Sequence, residues 1–226
     1  MKESITGKTK GNILSLSRQA IINDDMGIFS RLATQIGYAT SLSIESDVYA
    51  LLALNAGLGP LMNDGKTLFH ADHDNIGDAS DLSVAGLDAD AVILGLQEDP
   101  EGNEILDLRP AILLVARGLE GTARVLNEAQ YDTTAGSAMQ KPNIVNGMFR
   151  DVVGSGRMSG TRRYIFSDPA IMPVLEVAFL DGMQEPFVAM QDGWRVDGRE
   201  WKVRLDYGVG AVEYRGAVTN AGEEES

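Results

Sequence analysis

A helical pattern runs for an unusually long stretch near the amino terminus of this sequence. Residues 23–25 supply a helix N-cap and carboxylates, which favour the positive end of a helix dipole. Apolar residues then recur at steps of three and four, at Phe29, Leu32, Ile36, Ala39, Val48 and Leu51. The pattern predicts one helix over residues 24–55, of roughly 30 residues and about 45 Å. Such a length is well above the usual one, and it suits an assembly subunit better than a small globular protein.

Composition and charge argue against several classes of protein. The chain has 226 residues, of which 44% are apolar and 23% charged, a balance typical of one large or two small globular domains. No apolar run approaches the roughly 18 residues that span a bilayer, so we expect no membrane partner. The net charge of −14 repels phosphate, which argues against sequence-specific nucleic-acid binding. The lack of cysteine excludes disulfides and thiolate sites. The first residues lack the apolar core of a signal peptide and no Asn-x-Ser/Thr sequon occurs, so we expect an intracellular protein.

Residues 5–22 have the pattern of an extended arm. Leu14 and Leu16 alternate with Ser15 and Ser17, as in a half-exposed strand. The polar, glycine-bracketed stretch at residues 6–12 predicts a hairpin tip, and we expect the other half of the hairpin to lie upstream of this chain. Because the arm then lacks a partner strand, we expect a neighbouring subunit to cover its apolar face. Leu14 and Leu16 are therefore the predicted assembly interface.

Beyond the arm, predicted helices come first and predicted strands later, which favours an α+β fold. After a polar loop at residues 63–81, helices are predicted at residues 84–96 and 119–129, with a strand buried on both faces at residues 111–115. Residues 131–160 are predicted to be loops. The later predicted strands are residues 164–166, 174–180, 186–190, 201–205 and 211–218. An Asp-Gly pair at residues 197–198 predicts a type I′ hairpin turn.

One segment carries side chains that could support chemistry. His70, Asp72, His73 and Asp74 lie in one polar loop and could bind a divalent metal if the loop folded back on itself. That arrangement would give a metal-dependent hydrolase. The chain has only two histidines, so no third imidazole is available, and loop side chains that cap turns are the commoner explanation. The hydrolase therefore remains an alternative only.

Other motifs fail on their spacing. A calcium-loop pattern starting at Asp72 has Ile76 and Ser83 where an oxygen donor and a glutamate are required. The Gly-Lys-Thr strings at residues 7–9 and 65–67 lack the first glycine of a phosphate loop, and Gly-x-Ser-x-Gly does not occur. We therefore predict no catalytic, cofactor-binding or metal-ligating residue, and a protein that is not an enzyme.

Several strings, taken in order along nearly the whole chain, resemble a known family. They are residues 13–25, 67–73, 167–169, 174–182, 185–186, 201–208 and 213–217. Together they resemble the major capsid proteins of tailed bacteriophages and prophages. The resemblance is to the kind often made as the capsid part of a protease–capsid fusion precursor.

This resemblance implies the Hong Kong 97-like fold, with a long spine helix, a peripheral domain, an axial domain and an extended loop. Residues 1–22 would be a truncated remnant of that loop, and residues 221–226 a disordered tail. The peripheral domain would comprise residues 23–82 and 184–208, and the axial domain residues 83–183 and 209–220.

The functional implication is a structural head subunit that assembles into an icosahedral shell around DNA. We expect a homo-oligomer of pentamers and hexamers, located in the virion capsid and assembled in the bacterial cytoplasm. An upstream fused protease or scaffold segment is a further expected partner. A bacterial nanocompartment shell protein, which shares this fold, remains an alternative.

Overall fold

The computed structural model describes residues 3–22, 28–132, 141–193 and 197–223. The helices are α1 (Arg18–Ile22), α2 (Ile28–Leu52), α3 (Leu54–Gly57), α4 (Val84–Gly95) and α5 (Glu120–Glu128). The strands are β1 (Lys8–Ser17), β2 (Ile76–Gly77), β3 (Pro110–Ala116), β4 (Asp151–Ser155), β5 (Arg163–Ser167), β6 (Leu175–Phe179), β7 (Phe187–Asp192), β8 (Gly198–Ala211) and β9 (Ala217–Asn220). This mixture of helix and sheet confirms the predicted α+β class. No helix in these ranges is long and apolar enough to span a membrane.

The chain divides into two compact units. The first unit comprises Met1–Glu3, Leu51–Glu176 and Ala211–Ser226, and the second comprises Ser4–Ala50 and Val177–Gly210. The predicted peripheral domain extended to residue 82, whereas this division falls between Ala50 and Leu51. The assignment of peripheral and axial domains therefore remains a prediction.

A five-stranded sheet forms the centre of the first unit, in the order β2-β9-β5-β3-β4. Strand β3 runs antiparallel to β5 and parallel to β4. Its apolar run is almost fully buried, which confirms the predicted strand at residues 111–115. The core is built from apolar side chains of both helices and sheet: Leu87, Leu94, Leu113, Val115, Ala123, Leu126, Ile165 and Val218.

A buried ion pair connects α4 to β5 within this core. The Arg163 Nε donates to Asp90 Oδ2 at 2.7 Å, and both side chains are almost fully buried. Two further donations, to the backbone carbonyl and hydroxyl of Ser80, satisfy the guanidinium at 2.7 and 2.9 Å. Asn220 donates to the second Asp90 oxygen at 2.9 Å. Because a buried charge without partners is costly, this network fixes how β9, β5 and α4 meet.

The second unit contains α2 and a four-stranded sheet, in which β8 pairs with β1, β6 and β7. Strands β1 and β8 pair antiparallel without interruption, from Lys8 opposite Tyr207 to Ser17 opposite Gly198. Strand β7 pairs antiparallel with the other side of β8, from Phe187 opposite Arg204 to Asp192 opposite Arg199. Along residues 199–204, β8 is thus the central strand and β1 and β7 are its two neighbours.

The structure corrects the length of the predicted helix at residues 24–55. Helix α2 covers 25 residues and ends at Leu52, while the predicted N-cap at residues 23–25 lies outside the described residues. Asn55 and Ala56 adopt left-handed backbone angles, with φ of 52° and 58°. The Asn55 side chain donates to the Gly59 carbonyl at 2.7 Å, a local bond that competes with helix and lets asparagine occupy this region.

Two strand predictions need correction in their bounds. The arm is extended only over Lys8–Ser17, because residues 18–22 turn into α1 instead of continuing the strand. The single strand predicted over residues 211–218 is wrong, since β8 ends at Ala211 and β9 begins at Ala217. Between them the Ala217 N–H donates to the Tyr214 carbonyl at 3.3 Å and closes a turn. The Glu213 carboxylate accepts the Tyr214 N–H and the Arg215 side chain there.

The region predicted as loops and the predicted hairpin turn also differ in detail. Residues 131–160 contain β4, a strand that the glycine-rich composition concealed. The β7–β8 hairpin is confirmed, but Gly193 already donates to Gly198 at 2.9 Å and Gly198 belongs to β8. The connection is therefore longer than a two-residue turn, and its residues 194–196 lie outside the described part of the chain.

Candidate functional site

The loop with both histidines is held in place by backbone hydrogen bonds. Leu68 N–H donates to the Pro60 carbonyl at 2.8 Å, and Phe69 N–H donates to the Leu58 carbonyl at 3.0 Å. A single 3₁₀ turn follows over Ala71–His73, capped by His70 Nδ1, which accepts the Asp72 N–H at 3.1 Å. The loop thus has the side-chain-to-backbone capping that its polar composition indicates.

His73 is a buried structural residue of this loop. Its ring stacks on Tyr214 with the centroids 3.9 Å apart and the planes 6° from parallel. The Nε2 atom lies 2.7 Å from Asp64 Oδ2, and the Nδ1 atom lies 3.2 Å from the Leu68 carbonyl. Both ring nitrogens therefore already have hydrogen-bond partners.

The neighbouring carboxylates also have hydrogen-bond donors. Burial raises the pKa of Asp64, but the hydrogen bond from His73 and the backbone N–H of Lys66 outweigh it, so the net pKa is lowered. The hydrogen bond from Lys66, at 2.7 Å, lowers the pKa of the Asp72 carboxyl. These carboxylates act as acceptors for the loop's own donors.

The structure does not bring His70, Asp72, His73 and Asp74 to one metal position. Within the described ranges no group of three or more histidine and acidic side chains could hold a metal ion. Asp74 adopts a left-handed conformation, with φ of 46°, and closes the 3₁₀ turn through its backbone N–H. The hydrolase alternative therefore has no site in this loop. Sequence reasoning missed the partners Asp64 and Tyr214, because only the fold brings Tyr214 to the loop.

The predicted assembly residues lie on β1. The expectation that this strand lacks a partner is wrong, because β8 pairs with it and places Leu14 opposite Trp201 and Leu16 opposite Arg199. No local pattern could reveal a partner that lies some 185 residues further along the chain. Leu14 nevertheless remains 41% exposed, and Leu16 is partly buried.

The face of β1 that carries Leu14 lies against α2. A cavity of about 420 Å³ separates them, lined by apolar side chains of both elements and of β8: Leu14, Ile36, Ala39, Val203 and Leu205. Side chains alternate across a strand, so Ile13, which is 60% exposed, lies on the opposite face. Both faces of the strand thus carry an apolar residue that this chain leaves incompletely covered.

A polar network closes one end of this cavity. The Lys10 ammonium lies 2.5 Å from Asp47 Oδ2, and the Tyr207 hydroxyl donates to the same oxygen at 2.7 Å. The hydrogen bond to Asp47 raises the pKa of Lys10. Burial raises the pKa of Asp47, but the bonds from Lys10 and Tyr207 outweigh it and lower the net value. Lys10 is thereby held towards α2.

Comparison with known proteins gives a consistent result. A protein-family model described as phage capsid protein matches residues 2–220. The search of curated protein sequences found no match.

Solved structures show the same fold at low sequence identity. The capsid of cyanophage P-SCSP1u is 11% identical, with a TM-score of 0.60 over 99% of this chain and 74% of that chain. A Mycobacterium phage Patience structure is also 11% identical, with a TM-score of 0.59 over 98% and 72%. The SrpI encapsulin complex from Synechococcus elongatus is 11% identical, with a TM-score of 0.57 over 95% and 73%.

Proposed function

The chain belongs to the phage capsid protein family, and from this premise we propose how it serves as a head subunit. It is a structural capsid protein with the Hong Kong 97-like fold. The single observation that carries the function is the family match over residues 2–220. The finer proposal is that copies form pentamers and hexamers, which together close an icosahedral shell around DNA. Identical edges would meet at slightly different angles in the two kinds of ring.

We propose that the two structural units form different domains of the capsid subunit. We assign the second unit, with the arm and α2, to the peripheral domain and the extended loop. We assign strands β3, β4, β5 and β9 of the first unit to the axial domain. On this assignment Leu14 and Leu16 make contact with a neighbouring subunit. Leu14 supports the proposal because it stays 41% exposed even though β1 is paired within its own chain.

The negative net charge suits a subunit that lines the inside of a DNA-filled shell. A net charge of −14 gives the subunit a surface that repels phosphate, so packed DNA would not adhere to the wall. No sequence-specific recognition of nucleic acid belongs to this proposal. We further propose that assembly occurs in the bacterial cytoplasm, with an upstream protease or scaffold segment as a partner.

The nanocompartment alternative rests on the likeness to the encapsulin structure, which concerns the fold alone. The cargo distinguishes the two functions. Particles purified from phage-producing cells should contain nuclease-protected DNA of uniform length. A packaged protein with no protected DNA would favour the nanocompartment and contradict the phage head.

A further inference from the structure

The sheet of the second unit has two edges that differ in charge. The segment at residues 4–22, which contains β1, carries three basic residues and no acid: Lys8, Lys10 and Arg18. The segment at residues 181–192, which contains β7, carries three acids and no base: Asp181, Glu185 and Asp192. All six charged residues are exposed, although Lys10 is paired with Asp47 on α2. Asp192 is 94% exposed, with the Arg199 Nε 3.8 Å from its Oδ1.

Each edge also has backbone groups that point away from β8. Arg18 N–H donates to the Asp197 carbonyl, and hydrogen-bonded residues alternate along an antiparallel pair. The backbone groups of Ile13 and Ser15 therefore point away from β8, where the Ile13 N–H donates to Asn12 Oδ1 at 2.8 Å. On the β7 side, Gly193 N–H donates to the Gly198 carbonyl, so the residues bonded to β8 are odd-numbered. The backbone N–H and C=O groups of Val188 therefore point away from β8.

The middle of each edge is uncharged and partly apolar. Residues 11–17 of β1 contain no charge, and neither do residues 186–191 around β7. Ile13 is 60% exposed and Met190 is 56% exposed. The usual protection of an edge by lysine is weakened here, because Lys10 binds Asp47 on α2.

We propose that the β1 edge of one copy docks against the β7 edge of the next copy, head to tail. This inference rests on the proposed function, since it names the surfaces by which capsid subunits would join into rings. A contact between two different edges is heterologous and closes into a ring when the rotation permits. Opposite charges on the two edges favour this contact and disfavour β1 against β1 or β7 against β7.

Charge reversal tests the pairing. In the purified full chain, Lys8→Glu with Arg18→Glu makes the β1 edge acidic, and Glu185→Lys with Asp192→Lys makes the β7 edge basic. Each double variant alone should raise the concentration at which assembly begins by about tenfold or more. The variant with all four substitutions should restore assembly, because its two edges again carry opposite charges.

A matched control separates the effect of charge at the β1 edge from the effect of net charge. Arg109→Glu with Lys141→Glu changes the net charge as much as the β1 variant does, at exposed positions in the first unit. This control should assemble like the unaltered chain. Normal assembly of both edge variants, or a failure of the four-substitution variant to recover, would overturn the proposal.

Cysteine cross-linking tests the contact directly, because the chain has no cysteine of its own. Ser15 and Gln191 both lie opposite Glu200, in one row on the same face of the sheet. Copies carrying Ile13→Cys or Ser15→Cys should form disulfides with copies carrying Ala189→Cys or Gln191→Cys. Disulfides among β1 variants alone would indicate β1 against β1 and contradict the proposal. Assembled shells without mixed disulfides would refute the edge contact alone, whereas no assembly of the unaltered chain would refute the proposed function as well.

Discussion

Arg163 and Asp90 show at the scale of single residues how this fold is specified. Their ion pair is buried and every polar atom around it is bonded, so removing one partner leaves an uncompensated charge. We expect Asp90→Asn to lower the free energy of unfolding by about 3–5 kcal/mol. Urea denaturation monitored by circular dichroism measures this loss.

Asp88 provides the control for that prediction, because it lies on the same helix and is only partly buried. Asp88→Asn should change the free energy of unfolding by no more than about 0.5 kcal/mol. Equal losses of unfolding free energy for Asp90→Asn and Asp88→Asn would show that the buried ion pair does not stabilise the fold.

The ion pair between Lys10 and Asp47 should make the stability of the chain depend on pH. The pKa of Asp47 is lowered, so its contribution is present above the ordinary value of 3.8 and lost as the pH falls through the folded value. The pKa of Lys10 is raised, so its contribution is complete below 10.5 and lost at higher pH. The melting-temperature difference between the unaltered chain and Asp47→Asn should therefore be widest between these limits and narrow on both sides. A difference that is constant from acid to alkali would refute the ion pair.

At the scale of elements, β1 is the segment on which assembly is predicted to depend. Leu14→Asp with Leu16→Asp should abolish shell assembly, because burying two leucines against a neighbour is worth roughly 3–6 kcal/mol before ordering costs. The melting temperature of the isolated subunit should change little, since Leu14 is already 41% exposed there. Light scattering and thermal melts give the two readouts.

The control for the arm uses the same change at other exposed apolar sites. Leu61→Asp with Ile171→Asp replaces side chains that are 68% and 70% exposed in the first unit. Assembly should survive this variant. If the arm variant instead unfolds the subunit or assembles normally, the assignment of β1 to an interface is wrong.

The elements differ in how far sequence could predict them. The buried strand β3 and the helix α4 were predictable, because an apolar run and a capped helical segment are local signals. The pairing of β1 with β8 was not, since it joins residues about 190 apart. The structural role of His73 could not be predicted either. Its ring is held by a hydrogen bond to Asp64 and by stacking on Tyr214, which lies in a distant turn. Local chemistry identified the polar loop, but only tertiary contacts showed that Tyr214 stacks on one of its histidines.

At the scale of the whole molecule, the family match and the fold agree on a capsid subunit. The resemblance seen in ordered strings along the chain indicated the same family, although no single string was specific. Similarity to solved capsid structures at 11% identity establishes the fold of the chain. The contacts between subunits have to be determined by experiment. The boundaries of the peripheral and axial domains remain a prediction, as does the number of copies in each ring.

Size-exclusion chromatography with light scattering on the purified full-length protein tests whether copies of the chain assemble into a capsid. Fractions of high mass should be examined by electron microscopy. We expect closed shells, with rings of five and six subunits as the smaller species. A protein that stays strictly monomeric at high concentration, with no rings or shells under any assembly condition, would contradict this expectation.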